Sequence, residues 1–333
     1  MISVKIIKII LFSLGLLILT GLVRRIGISE ITRAISQADF RFALLGIFFY
    51  IILIFVRSLK WFVLIGITKN KVNYKGLLPI CLVNSLMSNL TPFKSGETLT
   101  PLLLKKYLKV PVGQGLSVLV LDRFFELMTF TIFLVFAVFY VMNAGIENRF
   151  ALTLLRQIFI VLIVFIAALI VIMVSRKITL KILSIFNFLK KYPFFKRVLE
   201  FIEKELDIFY GTLPLFKNRK IYQFIIPLTF LAWVLELVSY YFVFTSVISI
   251  PFVKVAVAQL ITAAATFVTF LPGGLGIAEG GAVYVLKLFG YSTVLTLSAA
   301  LLVRILLTGT LLISGLIGSL LLREKKQDYQ ALN

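Results

Sequence analysis

Apolar residues fill long stretches of this chain, and polar residues are concentrated in short breaks between the stretches. A helix that spans a membrane needs about 20 consecutive, predominantly apolar residues. Six stretches meet this requirement. We predict spanning helices at residues 4–23, 41–66, 115–142, 150–174, 223–248 and 293–322.

Two further apolar regions are interrupted by proline and glycine. Residues 77–91 and 97–108 flank the first break, and residues 254–271 and 277–290 flank the second. Backbone freed at Pro and Gly cannot face lipid, because its N–H and C=O groups would lack partners. We therefore predict two re-entrant helical hairpins with their tips inside the membrane; the alternative is an ordinary loop between two short spans. The predicted tip residues are Asn89, Pro92, Gly96, Pro272, Gly273, Gly274 and Gly276.

The distribution of Lys and Arg predicts the orientation. The segment 175–222 is the richest in these residues, so it is expected in the cytoplasm, with amphipathic helices lying on the inner leaflet. Both chain termini then lie in the cytoplasm. The segment 24–40 falls outside, although Arg24, Arg25 and Arg33 conflict with this placement.

This orientation makes the two hairpins enter from opposite faces, as in an inverted repeat. Residues 92–96 and 272–276 both begin with Pro and end with Gly, and the segment 117–123 (SVLVLDR) resembles 298–304 (SAALLVR). Paired broken segments in two inverted halves mark the substrate site of many transporters. The prediction is an all-α, polytopic single membrane domain. Its parts are residues 1–40, repeat 1 at 41–142, a span plus basic loop at 150–222, repeat 2 at 223–322, and a tail at 323–333.

Several ionisable residues interrupt the apolar segments. Each costs roughly 2.5–3.5 kcal/mol on insertion, so such groups usually face a cavity or a partner. They are Arg57, Lys60, Lys94, Glu97, Asp122, Arg123, Glu126, Glu236, Glu279 and Arg304.

These ionisable residues allow two interpretations. In the first, they form ion pairs that join helices, such as Glu97 with Arg123 and Glu279 with Arg304. In the second, they line a polar cavity in which Arg and Lys bind an anionic head group and the carboxylates balance charge or carry protons. Arg57 and Lys60 have a further alternative, because their long side chains could extend from the end of the span to the inner leaflet.

The amino-acid composition excludes several kinds of catalytic and metal site. Lys and Arg number 35 against 14 Asp and Glu, a formal net charge of +21 that we attribute to loops held against anionic lipids rather than to nucleic-acid binding. The chain has no His and one Cys, which excludes His-based catalysis and any His or multi-Cys metal site. We expect no metal and no cofactor.

Three motifs resemble the lysylphosphatidylglycerol synthase transmembrane-region family, also called flippase-like or UPF0104 membrane proteins. They are LPGGLGIAEG at 271–280, PFKSGE at 92–97 and LDRFFE at 121–126. The first is matched in full. The second departs from the family's usual PGRxGE, since Phe93 replaces Gly and Lys94 stands where Arg is typical.

The resemblance implies lipid handling in the plasma membrane of a bacterium or archaeon. Bifunctional relatives carry a soluble aminoacyl-transfer domain that is not seen after the last span of this sequence, so lipid aminoacylation is not expected. The expected function is a flippase-like transporter of an anionic phospholipid or polyprenyl-phosphate-linked lipid. The alternatives are a lipid-modifying or glycosyltransferase-like enzyme, and a non-catalytic membrane partner of a lipid-synthesis or glycosyl-transfer enzyme.

Overall fold

The computed structural model describes residues 27–68, 72–144, 149–185, 193–217, 219–268 and 272–331, together with residues 20, 21, 23 and 24. Within these ranges the chain is helical and contains no β-strand. The α-helices are α1 Ile28–Ser36, α2 Phe40–Ile67, α3 Tyr74–Leu90, α4 Thr100–Leu108, α5 Val112–Asn143, α6 Arg149–Val174, α7 Arg176–Ser184, α8 Pro193–Thr212, α9 Arg219–Thr245, α10 Phe252–Val268, α11 Ile277–Leu288, α12 Thr293–Val303 and α13 Gly309–Ala331.

Four helical segments of the described chain are long and apolar enough to cross a membrane. They are Phe40–Ile67, Val112–Asn143, Tyr222–Thr245 and Thr293–Arg323, and each contains one of the predicted spans or most of it. The predicted span 150–174 forms α6, whose described apolar stretch is Phe159–Val174. The predicted span 4–23 lies almost wholly outside the described residues.

The first predicted hairpin consists of α3, a 3₁₀ helix at Pro92–Leu99, and α4. Thr91 fixes the sharp bend, because its hydroxyl donates to the Met87 carbonyl at 2.8 Å and accepts the Gly96 N–H at 2.6 Å. A Cβ at position 96 would lie only 2.4 Å from that same carbonyl oxygen, so only glycine allows the chain to return this close to α3.

The second predicted hairpin consists of α10, a 3₁₀ turn at Pro272–Gly274, and α11. Gly273, Gly274 and Gly276 have φ angles of 59°, 62° and 78°, a region that residues with a Cβ rarely adopt. The three glycines of PGGLG therefore have a direct conformational role. Both regions have the predicted helix–break–helix form.

The two halves of the chain are interleaved. The spans that precede the hairpins, α2 and α9, pack along each other. The first hairpin helix, α3, packs against α13 of the second half, and its counterpart α10 packs against α5 of the first half. A helix next to each break thus packs against the last span of the other half.

Two segments outside the spans have defined contacts. The segment 24–40 contains a helix that the sequence did not reveal, α1, whose Ile31 packs with Val283 and Leu297. The basic segment 175–222 contains α7 and α8, in agreement with the expected helices. Glu205 of α8 is buried and accepts the Gly113 backbone N–H at 2.7 Å, which caps the first turn of α5.

The α2–α9 contact generates a prediction about glycine. A Cβ on Gly46 would lie 2.5 Å from Val243 Cγ2 and 2.9 Å from the Ser239 carbonyl oxygen, whereas a Cβ on Gly66 of the same helix would meet nothing within 4 Å. Gly46→Ala should therefore force the two helices apart and destabilise the protein by about 1–3 kcal/mol. Thermal unfolding of the detergent-purified protein should show a lower midpoint for Gly46→Ala than for the wild type. The midpoint of the control Gly66→Ala should not be lowered. Equal midpoints for the two variants would contradict this packing.

Candidate functional site

A cavity of about 420 Å³ lies where the two breaks meet. The first break contacts the second, and a Cβ built on Gly273 would be 3.3 Å from the backbone oxygen of Asn89. Side chains from both halves of the chain form the polar wall of the cavity. The ionisable ones are Glu97, Arg123, Glu126, Glu236, Glu279 and Arg304.

In the first half, Arg123 connects the first break to α5, the span that follows it. Its Nε lies 3.1 Å from a carboxylate oxygen of Glu97, and its Nη2 donates to Asp122 at 2.7 Å. Glu97 is buried and also accepts a hydrogen bond of 2.7 Å from the Ser88 hydroxyl of α3. The Glu97 carboxylate therefore connects the break, the preceding helix and the following span.

A second ionic group lies deeper, next to Arg123. Lys60 of α2 contacts the Asp122 carboxylate at 2.8 Å and also bonds to Glu126, and all three side chains are at most 5% exposed. A lone buried ammonium would be very costly, and two carboxylates on adjacent turns of α5 compensate it. The Glu97–Arg123–Asp122–Lys60–Glu126 chain of contacts is thus continuous through the first half.

In the second half, Arg304 forms an ion pair similar to that of Arg123. It bonds through Nε to Glu279, and its Nη1 donates to the Gly273 carbonyl at 3.0 Å. The other oxygen of Glu279 accepts the Gly276 N–H at 2.8 Å, which satisfies the start of α11. Arg304 therefore bonds directly to the PGG turn and is linked through Glu279 to the start of α11.

The backbone at Arg304 differs from that at Arg123. Residues Arg304–Thr308 form a π turn between α12 and α13, whereas Arg123 lies inside the continuous helix α5. Single π turns inside α-helices are frequently found at functional sites. The two halves therefore carry similar ionic groups on different backbone geometries.

A fourth ion pair joins the two halves directly. Arg57 of α2 donates to Glu236 of α9 at 2.6 Å, and these side chains are 26% and 18% exposed. Arg57 thus has a partner within the protein.

The rest of the cavity wall is apolar or carries uncharged polar groups. Apolar side chains come from α5, α6 and α9, including Phe130, Phe165 and Phe244. Uncharged polar groups include Asn89, Gln259 and several hydroxyl side chains. One cavity therefore offers ionic groups at the breaks and an apolar surface on the neighbouring spans.

Most of the predicted site residues come together in the structure. Both expected pairs, Glu97 with Arg123 and Glu279 with Arg304, are present, and the backbones of the two breaks are in contact. Lys94 lies in the 3₁₀ helix of the first break, but its side chain is outside the described part of the structure.

The alternative interpretation of Lys60 was wrong. Its side chain does not extend to the membrane surface, because it turns into the protein and is 1% exposed between Asp122 and Glu126. The partners of Lys60 could not be predicted from the sequence. Its spacing of three from Arg57 was the only signal, and this spacing is insufficient to assign a partner.

The buried Lys60 group generates a prediction of stability. Lys60→Met leaves Asp122 and Glu126 with less compensating charge and should destabilise the protein by about 3–5 kcal/mol. The double variant Lys60→Met/Glu126→Gln removes one charge of each sign and should recover part of this loss. Lys75→Met, at an exposed lysine, is the control and should leave the unfolding midpoint unchanged. A wild-type midpoint for Lys60→Met would show that the ammonium is not needed to balance these carboxylates.

Sequence comparison places this architecture among known membrane proteins. The family described as the lysylphosphatidylglycerol synthase TM region matches residues 5–315. A UPF0104 membrane protein of Methanothermobacter thermautotrophicus is 24% identical over 306 residues, which cover 89% of this chain and 90% of that protein. A UPF0104 membrane protein of Methanocaldococcus jannaschii is 23% identical over 288 residues, 84% of each chain.

A third relative, a UPF0104 membrane protein of Pyrococcus horikoshii, is 24% identical over 289 residues, which cover 82% of this chain and 84% of that protein. No solved structure matches the chain. The family match includes both breaks and all four groups of ion pairs that line or adjoin the cavity. The chain therefore belongs to the lysylphosphatidylglycerol synthase TM-region family of integral membrane proteins.

Proposed function

We propose that the protein is a flippase-like transporter that moves an anionic, phosphate-bearing lipid across the plasma membrane. The observation that carries the proposal is the single cavity in which ion pairs from both halves of the chain meet beside an apolar wall. A lipid likewise combines a charged head group with apolar tails. The cavity therefore matches the chemistry of an entire amphiphile rather than that of a small soluble ion.

Arg123 and Arg304 are the groups best suited to bind the phosphate. Their side chains are 26% and 21% exposed, whereas the carboxylates they bond to, Glu97 and Glu279, are buried. A guanidinium has five N–H donors in a planar fork that fits phosphate oxygens, so each Arg has donors left after its bonds within the protein. In the proposed mechanism a phosphate approaches from the cavity side while the carboxylates hold the Arg side chains in place.

The carboxylates also provide a means of balancing charge. Among the described ionic groups in and beside the cavity, five carboxylates accompany four cations; they are Glu97, Asp122, Glu126, Glu236 and Glu279 with Arg57, Lys60, Arg123 and Arg304. A phosphate adds further negative charge in a medium of low dielectric constant, where such an excess is costly. We propose that a carboxylate takes up a proton when the head group binds, which would couple transport to protons.

The interleaved halves supply a mechanism for alternating access. The hairpins enter the membrane from opposite faces in the inverted-repeat proposal, with residues 41–142 and 223–322 as the two repeats. Because α3 packs on α13 and α10 packs on α5, a rocking motion of one half necessarily moves the hairpin of the other. Such rocking around a fixed central site is the usual mechanism of transporters with inverted repeats. The basic segment 175–222 would lie on the cytoplasmic leaflet, where anionic lipids attract it.

Reconstitution tests the proposal directly. The purified protein is reconstituted in phosphatidylcholine liposomes that contain fluorescent phosphatidylglycerol. It should move labelled lipid from the inner to the outer leaflet, where a membrane-impermeant quencher reaches the label. Arg304→Ala should lower the initial rate at least about tenfold, since it removes charge-assisted bonds to the phosphate. The double variant Arg304→Ala/Glu279→Gln leaves no uncompensated carboxylate, so it should fold more stably than Arg304→Ala. Its transport should be equally slow, and this result would separate the effect on transport from an effect on folding.

A matched variant controls for the loss of an arginine. Arg176 forms an ion pair with Asp207 outside the cavity, and both side chains are more than half exposed. Arg176→Ala should therefore transport at the wild-type rate. Quenching no faster than in protein-free liposomes, for wild-type protein with phosphatidylglycerol, phosphatidic acid and polyprenyl phosphate alike, would refute the transport proposal.

A further inference from the structure

Two buried, uncharged hydrogen-bonding groups in the cavity wall have no partner within the described residues. They are the indole N–H of Trp233 on α9 and the hydroxyl of Thr262 on α10. The two residues are 8% and 3% exposed, and both line the cavity. An unpaired polar group in the protein interior is costly, and such groups in native structures call for an explanation.

Trp233 belongs to a stripe of cavity-lining residues on α9. Glu236 and Tyr240 follow it by three and seven residues, so all three lie on one face of the helix, and all three line the cavity. The indole ring stacks on Phe130 with ring centroids 4.9 Å apart. This stacking restricts the plane of the indole ring.

Thr262 has a similar setting on α10. Gln259 and Thr266 lie three residues before it and four after it, on the same face, and they also line the cavity. A Cβ on Gly281 of α11 would lie 3.0 Å from the Thr262 hydroxyl oxygen. Glycine at position 281 therefore avoids a tight contact with this hydroxyl.

The location of these two groups distinguishes them from the other unpaired, uncharged groups. The hydroxyl oxygens of Thr245 and Thr296 are also buried without a partner, but neither residue lines the cavity. The ion pairs at the breaks provide charge, whereas Trp233 and Thr262 provide neutral donors from the helices beside them. An indole N–H only donates, so its ligand must present a hydrogen-bond acceptor.

We propose that Trp233 and Thr262 form a neutral subsite that donates hydrogen bonds to oxygen atoms of the lipid head group. This inference rests on the proposed function, because the ligand is the lipid that enters the cavity. The oxygen belongs either to the phosphate or to a hydroxyl group attached to it. Both donor atoms are shielded in the present conformation, so the head group reaches them when the cavity widens during transport. The subsite thus adds selectivity for the head group to the binding of its charge.

Binding can be measured independently of transport, because the chain has only two tryptophans. Trp61 belongs to a different buried cluster and does not line the cavity. The variant Trp61→Phe therefore leaves Trp233 as the single fluorescent tryptophan. Titration of this full-length protein in detergent with short-chain phosphatidylglycerol or phosphatidic acid should change the Trp233 emission in a saturable manner. In Trp233→Phe, the remaining Trp61 emission should not respond.

Thr262→Val in the Trp61→Phe background tests the second donor. It removes the hydroxyl with little change of volume, and the apparent Kd should rise about fivefold, as expected for one lost hydrogen bond. Thr296→Val in the same background is the control and should keep the parent Kd. If Thr262→Val raises the Kd for both lipids, the oxygen that accepts the hydrogen bond belongs to the phosphate. If it raises the Kd for phosphatidylglycerol alone, that oxygen belongs to the glycerol hydroxyls.

The outcomes separate this inference from the proposed function. Saturable binding with the Thr262→Val effect, but no translocation in liposomes, would retain the subsite and reject the transport activity. Trp233 emission that responds to neither lipid, or equal Kd values for Thr262→Val and Thr296→Val, would overturn the subsite.

Discussion

The structure depends on one electrostatic constraint, namely that charges placed among apolar helices must be compensated inside the protein. Lys60 illustrates the constraint, since its buried ammonium is held by Asp122 and Glu126 on a different span. Arg123 and Arg304 follow the same rule in the two halves, each with a glutamate from the neighbouring break. The positions of the helices are therefore restricted by pairs that cannot be separated without leaving an uncompensated charge in a poorly solvating medium.

The same pairs explain why the breaks in the helices are stable. Chain breaks among apolar helices expose N–H and C=O groups that lipid cannot satisfy. Here the Glu279 carboxylate accepts a backbone N–H of the second break, and Arg304 donates to a carbonyl of that break. In the first break, Thr91 performs a comparable role with its hydroxyl. The ionic groups thus balance charge and replace missing backbone hydrogen bonds at the same time.

The proposed transport follows from this construction of the site. Helices beside each break pack against the other half, and in our proposal this packing keeps the polar groups at the centre together while the surrounding spans tilt. In the same proposal, the π turn at Arg304 is the place where one span adjusts locally, whereas Arg123 lies in a continuous α-helix. In our proposal the charged groups bind the phosphate, and Trp233 and Thr262 recognise the oxygens of the head group beside it.

The sequence by itself determined the helical class, most of the helix boundaries and the positions of both breaks. These features follow from long apolar runs and from Pro and Gly, which act locally through backbone hydrogen bonds and φ angles. It also indicated the partners Glu97–Arg123 and Glu279–Arg304, because each break carries a glutamate and the span that follows it carries an arginine.

Only the tertiary structure decided which sides of the long helices face one another. The helix Phe40–Ile67 is apolar around most of its circumference, so its pattern does not reveal that Lys60 points towards α5 or that Gly46 contacts α9. For the same reason the sequence could not distinguish Trp233, in the cavity wall, from Trp61, in a separate cluster. In an apolar solvent, the burial of apolar residues no longer specifies orientation, and packing between distant segments does.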